Sequence, residues 1–488
     1  MKRALTGALA VAALLVAGCD RQEQGPVRVT AIGEKPKLVD PSTGPLDNAE
    51  AILVQNAAQG LVRFDAQGNI VPGLAERWNV SDDGLSYIFR LQSGEWPSGR
   101  EITAQDVARL LRRHLAAQSR NSLKDAAGAV AEVVAMTDRV IEIRLSAPRP
   151  HLLQLLAQPE FGLVRNGEGA GPFQIKSSDE DSVQLARILP GPEGEEAASE
   201  EVKLKAAKTA AAVQAFVAGK TEMVLGGTYA DLPIATRAKL PRNSLRFDPV
   251  AGLFGFMPAR KGGLLADPEV RALLDRALDR QALVAALTVP DLESRASVLQ
   301  PGLDGNISPA VPAWAATPVA ERRTALLPEA RRLIAPDEEG AEPPVIRVAL
   351  PEGPGSDIIL QRLRADWGPL GLRVERAESG APADLRLVDL VAPSVSPAWF
   401  LRQFRCEVAP ICSEEADALL DAARAASVAP QRSALFAEAE RKIREQVLFI
   451  PVAAPVRWSL VARGLPGFAE NRFARHTLVA LRGGTDEE

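Results

Sequence analysis

Hydrophobic and polar positions alternate through Val27-Arg28-Val29-Thr30-Ala31-Ile32, which predicts a first strand. Residues 49–61 carry helical spacing, and Val62-Arg63-Phe64-Asp65 then runs into a turn at Gln67-Gly68-Asn69. Trp78-Asn79-Val80 and residues 85–91 flank Ser81-Asp82-Asp83-Gly84. Side chains alternate along a strand, so Leu85, Tyr87, Phe89 and Leu91 share one face. Asp-Gly between two such runs predicts a hairpin. Val140-Ile141-Glu142-Ile143-Arg144-Leu145 alternates again and is ended by Pro148 and Pro150.

Helix starts are marked by side chains that accept from free backbone N–H groups. Thr103 is such a residue, with Asp106 three positions on as in a capping box. Val107, Leu110, Leu111 and Leu115 then form one apolar stripe. Asp267-Pro268-Glu269 is a second start, and Val270, Leu273, Leu274, Ala277, Leu278 and Val284 keep helical spacing beyond it. Residues 210–217 predict a helix stopped at Gly219, and residues 416–425 and 434–447 predict two more. Residues 345–350, 358–367 and 372–375 read as strand, helix and strand, the pattern of a parallel crossover. Residues 191–200 read as an acidic surface loop and residues 337–344 as a charged, proline-rich connector. Short strands around 449–461 follow the last helix. Strands alternating with helices, with a separate hairpin-rich region near the N-terminus, predict α/β lobes carrying an inserted subdomain.

The N-terminus changes the picture. Lys2 and Arg3 precede an apolar run over residues 5–16, and Val16-Ala17-Gly18-Cys19 follows. The run is shorter than the roughly 20 residues that span a bilayer, and its layout is that of a cleaved export signal. It resembles a bacterial lipobox, in which Cys19 is lipidated and becomes the new N-terminus; a plain signal peptide with an incidental cysteine is the other reading. Asp20 resembles the signal that retains such proteins in the inner membrane. Losing Lys2 and Arg3 with the signal takes the formal charge from −5 to −7, which gives no footprint for nucleic acid.

Besides Cys19 the chain has two cysteines, Cys406 and Cys412. In an exported chain this spacing predicts a small disulfide loop, with a metal site as the weaker alternative because no histidine is near. The three histidines, His114, His151 and His476, form no cluster with other ligands, so no metal or other cofactor is expected. His114 follows Leu110 and Leu111 by one helical turn and reads as a partly buried helix residue; His151 follows Pro150 and reads as a turn end. No Gly-x-Ser-x-Gly elbow, phosphate loop or dinucleotide fingerprint is present, so an enzyme is not expected.

Several blocks, in order, resemble the family 5 extracellular solute-binding proteins, the peptide- and nickel-binding group of ABC importers. The strongest is Val71-Pro72-Gly73-Leu74-Ala75-Glu76-Arg77-Trp78, continued through Val80-Ser81-Asp82-Asp83-Gly84-Leu85-Ser86-Tyr87. Gly169-Ala170-Gly171-Pro172-Phe173 resembles the family's glycine turn, and Arg276-Ala277-Leu278-Asp279-Arg280 its central helix. Leu370-Gly371-Leu372-Arg373-Val374, Ile450-Pro451 and residues 464–468 complete the series.

The resemblance implies a two-lobed periplasmic-binding-protein fold (type II, cluster C-like) with an extra inserted subdomain. It assigns 1–18 to the signal peptide, 19–26 to a lipidated tether, and 27–48, 165–248 and 462–488 to lobe one. Residues 49–164 form the inserted subdomain and 249–461 lobe two. A solute captured between the lobes would pass to a permease driven by a separate ATPase chain, with this chain a monomer on the periplasmic face of the inner membrane. Peptide binders of the family hold the ligand's α-ammonium with an aspartate in a Trp-Gly-Ala-Asp-Tyr-Pro-Asp-Pro-like stretch. Pro393 stands at that position here. A buried ammonium without a carboxylate is costly, so a conventional dipeptide is discounted in favour of a neutral, modified or otherwise peptide-like hydrophilic solute. Ser394, Ser396 and Trp399 are the candidates to meet it; Trp399 could equally pack beside the disulfide loop. Phe254 and Phe256 share one side of a strand at the lobe crossing, facing either cleft or core. The missing aspartate also leaves a second reading: an envelope lipoprotein outside transport, a sensor or assembly partner that keeps the fold.

Overall fold

The computed structural model describes residues 25–189, 198–334, 342–479 and 481. The signal segment 1–18 and Cys19 lie outside the described residues, as do most of the two predicted charged loops. No helix among the described residues is long and apolar enough to cross a membrane.

Val27–Ile32 lies in the interior of a seven-stranded sheet, between Ala198–Ala207 and Met223–Thr228, both parallel to it. Ser182–Leu189 and Gln174–Ser178 extend one side; Arg457–Val461 and Leu245–Phe247 extend the other. One face packs on helix Asn48–Ala57 through Ala49, Ile52 and Leu53. That helix is held by a capping box in which Asp47 accepts from the Glu50 backbone N–H and Glu50 reaches back to Asp47. The boundary expected at residue 49 thus falls in the first turn of this helix.

A second sheet has the order Arg373–Arg376, Val345–Ala349, Leu385–Val391, Gly252–Pro258, Ile450–Ala453. The predicted crossover is present: Val345–Ala349 and Arg373–Arg376 are parallel and joined through helix Pro354–Trp367. The chain passes between the two sheets from Leu245–Phe247 to Gly252–Pro258 and returns from Ile450–Ala453 to Arg457–Val461. Arg457–Val461 was expected in lobe two but pairs with Met223–Thr228 and Leu245–Phe247 of lobe one, because its apolar face closes that sheet's core.

The predicted hairpin forms from Ala75–Val80 and Ser86–Leu91, joined to Val140–Leu145 and Val130–Thr137 in a four-stranded sheet. Tyr87, Phe89 and Leu91 are buried against Val107, Leu110 and Leu111 of helix Ala104–Leu115. The helical spacing after Asp267 is broken into Pro268–Ala277 and Arg280–Leu287, since Asp279 turns to cap the second by accepting from the Ala282 N–H at 2.9 Å. Cys406 and Cys412 are joined by a disulfide.

Candidate ligand-binding cleft

A cavity of about 500 Å³ lies where the two lobes and the inserted subdomain meet. That volume suits a small-molecule site, for which roughly 300–1,000 Å³ is usual. Lobe one supplies Gly226, Gly227, Thr228, Arg457, Trp458 and Ser459, neighbours across one strand pairing. Lobe two supplies the end of Leu385–Val391 and the turn after it, from Asp389 to Pro393. The subdomain adds Ser122, Leu123, Gln158 and Glu160, and the segment after Arg457–Val461 returns with Phe473, Arg475 and His476.

Glycine is required where the wall is thinnest. A Cβ on Gly227 would stand 2.1 Å from the Trp458 ring, whose Nε1 donates to the Thr228 carbonyl at 2.9 Å. Gly226 adopts φ +93°, the left-handed region, with the Asn48 side chain against its Cα.

The polar lining is organised as ion pairs. Arg457 Nη1 donates to both oxygens of Asp389, at 2.8 and 3.0 Å. Burial pushes the Asp389 carboxyl above the usual aspartate range, and the adjacent Arg457 charge opposes that shift. Arg475 donates to Glu160 and Gln158, each at 3.0 Å. His476 Nε2 lies 3.1 Å from Asp248, which also accepts from the Asn471 N–H. All three carboxylates of this lining, Glu160, Asp248 and Asp389, thus face a cationic or ionisable partner from the chain itself. The cleft is polar with its charges matched internally, which suits a hydrophilic ligand bound by hydrogen bonds.

The subdomain and lobe two also touch across the cleft's end. Gln158 Nε2 donates to the Pro393 carbonyl at 2.9 Å, and the Val395 N–H donates to Gln154 Oε1 at 3.1 Å. Pro393 therefore borders the cleft, with its carbonyl engaged by Gln158.

The sequence candidates separate into two groups. Phe254 and Phe256 are in the core and line neither cavity: Phe254 packs edge-on to Tyr229 with centroids 5.0 Å apart, and Phe256 to Trp367 at 6.2 Å. Their strand is buried on both faces, so the shared side that alternation gave them faces core rather than solute. Trp399 does border the cleft, packed edge-on to Phe400 at 5.1 Å. Ser394 and Ser396 lie beyond Trp399, on a second, smaller cavity between the subdomain and lobe two. His151 opens onto that second cavity with its Nε2 3.1 Å from Asp304. His114 is fully buried rather than partly, with Nδ1 3.0 Å from the Glu160 carbonyl; burial first, against that hydrogen bond, holds its pKa below the ordinary histidine value.

Asp389, Arg457, Arg475, Glu160 and Gln158 were not foreseen. They come from four distant stretches of chain, and only Asp389 stood near the motif that drew attention to the region.

Comparison with known proteins agrees with this architecture. The profile of the bacterial extracellular solute-binding proteins, family 5 (middle region), matches residues 69–383. The chain is 26% identical to the probable di/tripeptide-binding protein 5 of Pseudomonas aeruginosa over 88% of this chain and 89% of that protein. In fold it resembles Haemophilus influenzae OppA in complex with RPPGFSPFR, with TM-score 0.78 at 16% identity over 94% of this chain and 98% of the other. It also resembles the Escherichia coli murein tripeptide binding protein MppA, with TM-score 0.77 at 17% identity over 93% and 97%. The two sheets, their crossings and the inserted subdomain are those of a two-lobed periplasmic-binding-protein fold. The chain belongs to the bacterial extracellular solute-binding proteins, family 5.

Proposed function

We propose that this chain is the substrate-binding protein of an ABC importer, taking a peptide-like or other small hydrophilic solute into the inter-lobe cleft and delivering it to the permease. The observation that carries the reading is the cleft of about 500 Å³ whose lining carboxylates are already matched by Arg457, Arg475 and His476. A solute with a free ammonium must compete with Arg457 for Asp389, whereas hydroxyl and amide groups need no carboxylate of their own. The relative named for di- and tripeptides and the neighbours named for peptides support the peptide-like class. In this reading the lipid on Cys19 holds the protein at the periplasmic face of the inner membrane, and the ATPase is a separate chain. The binding chain itself does no chemistry on its cargo.

Native mass spectrometry of protein purified without denaturation tests this. The expected result is a co-purified solute of peptide-like size that is lost when Asp389 and Arg457 are both replaced by alanine. A chain that carries nothing and binds no member of a peptide library overturns the reading and favours an envelope lipoprotein outside transport.

A further inference from the structure

The second cavity, about 100 Å³, lies between the inserted subdomain and lobe two, on the far side of Trp399 from the cleft. Its floor is apolar, built from Ala129, Leu152, Leu155, Trp399, Ala423 and Phe436. Its rim is not: five arginines stand on it, Arg149, Arg402, Arg405, Arg424 and Arg432, against two aspartates. Those aspartates are engaged, Asp125 with Arg402 at 3.1 Å and Asp304 with His151 at 3.1 Å. Arg405 is held by Asp421 at 2.7 Å.

Arg149, Arg424 and Arg432 are left over. Among the described residues none of the three has a carboxylate within ion-pair distance; Arg149 Nη1 donates only to the neighbouring Pro148 carbonyl and Arg432 Nη1 to the Ala426 carbonyl. A guanidinium carries five N–H donors in a planar fork that matches an oxyanion. All three line this one cavity, and burial, together with the charges of Arg432 and Arg424, holds the Arg149 guanidinium below its ordinary range. Like charges gathered over an apolar floor are unfavourable unless an anion neutralises them.

We propose that this cavity is a binding site for a small amphipathic anion: an apolar body of about one aromatic ring, carrying a carboxylate or sulfonate that Arg149, Arg424 and Arg432 receive. The cavity's volume of about 100 Å³ is below the roughly 150 Å³ that encloses benzene, so the ring enters only in part and leaves its acid group at the arginine rim. The anion bridges the subdomain, which supplies Arg149, and lobe two, which supplies Arg424 and Arg432. The site does not depend on the identity of the solute in the cleft.

Calorimetric titration of the full mature chain with benzenesulfonate, and with the neutral benzenesulfonamide, tests it. Benzenesulfonate binds, and the sulfonamide binds at least about tenfold more weakly. Arg424→Gln and Arg149→Gln each weaken benzenesulfonate about tenfold. Arg424 is exposed on helix Glu414–Ala425, so its replacement leaves the fold and Tm unchanged and keeps the test decisive. Arg475→Gln, in the cleft, leaves benzenesulfonate affinity as it was. Absence of binding, equal affinity for the sulfonamide, or loss through Arg475→Gln but not Arg424→Gln overturns the proposal.

Discussion

Arg457 holds Asp389 across the hinge: one guanidinium nitrogen lies 2.8 and 3.0 Å from the two carboxylate oxygens, tying the first residue of a lobe-one strand to a lobe-two strand. Both side chains are mostly buried. Burial raises the Asp389 pKa and Arg457 restrains that rise. A raised value in the folded state means that native Asp389 keeps its proton to higher pH than the unfolded chain does. Its contribution therefore declines as pH climbs from the ordinary aspartate range through the folded value. Arg457→Ala removes the restraint and enlarges that decline. At neutral pH the variant loses roughly 3 kcal/mol, the scale for stranding one buried partner. The loss shrinks in acid, as urea denaturation across pH reads directly. A loss independent of pH would place the effect in packing alone.

Gly227→Ala pushes a methyl group into the Trp458 ring and breaks the Trp458 to Thr228 hydrogen bond. Overpacking of this kind costs about 1–3 kcal/mol. Because Trp458 is cleft wall, affinity for the co-purified solute falls about tenfold or more. Unchanged affinity, measured by calorimetry, would place the solute away from this wall.

Glu440 is fully buried and accepts from three backbone N–H groups: Val298 at 2.9 Å, Leu299 at 2.7 Å and Ala310 at 2.9 Å. Burial raises its pKa and these bonds pull the other way. Glutamine presents one oxygen and an NH₂, so at least one backbone donor is left facing another donor. Glu440→Gln loses roughly 1–3 kcal/mol in urea denaturation, the scale for an unsatisfied buried group. Glu440→Ala, which strands all three donors, loses more. A more stable glutamine variant would mean that desolvation of the charge outweighs the three bonds.

Cys19→Ala releases the protein from the membrane fraction if the N-terminus is a lipobox. Continued association with membranes after the substitution would rule that anchor out.

Where local physics decides, the sequence was legible. The Ser81 to Gly84 turn, the Thr103 and Asp267 caps and Val140–Leu145 stand where the pattern put them. Alternation fails in Gly252–Pro258, because a strand covered on both faces has no polar side to mark the cleft. The ion pairs are illegible for another reason. Glu160 and Arg475 are 315 positions apart, and nothing local to either announces the other. Pro393 marks a carboxylate that the resemblance leads one to expect, whereas the carboxylate that lines the cleft, Asp389, stands four residues earlier.

The placement of Val27–Ile32 has a consequence for assembly. This first strand needs Ala198–Ala207 on one side and Met223–Thr228 on the other, and that flank is completed only by Arg457–Val461. For a chain that emerges N-terminus first, the opening segment therefore waits, unpaired, for partners made much later. Closing such distant pairings is slow. The sheet of lobe one is then completed last, whereas all strands of the subdomain's four-stranded sheet lie within residues 75–145.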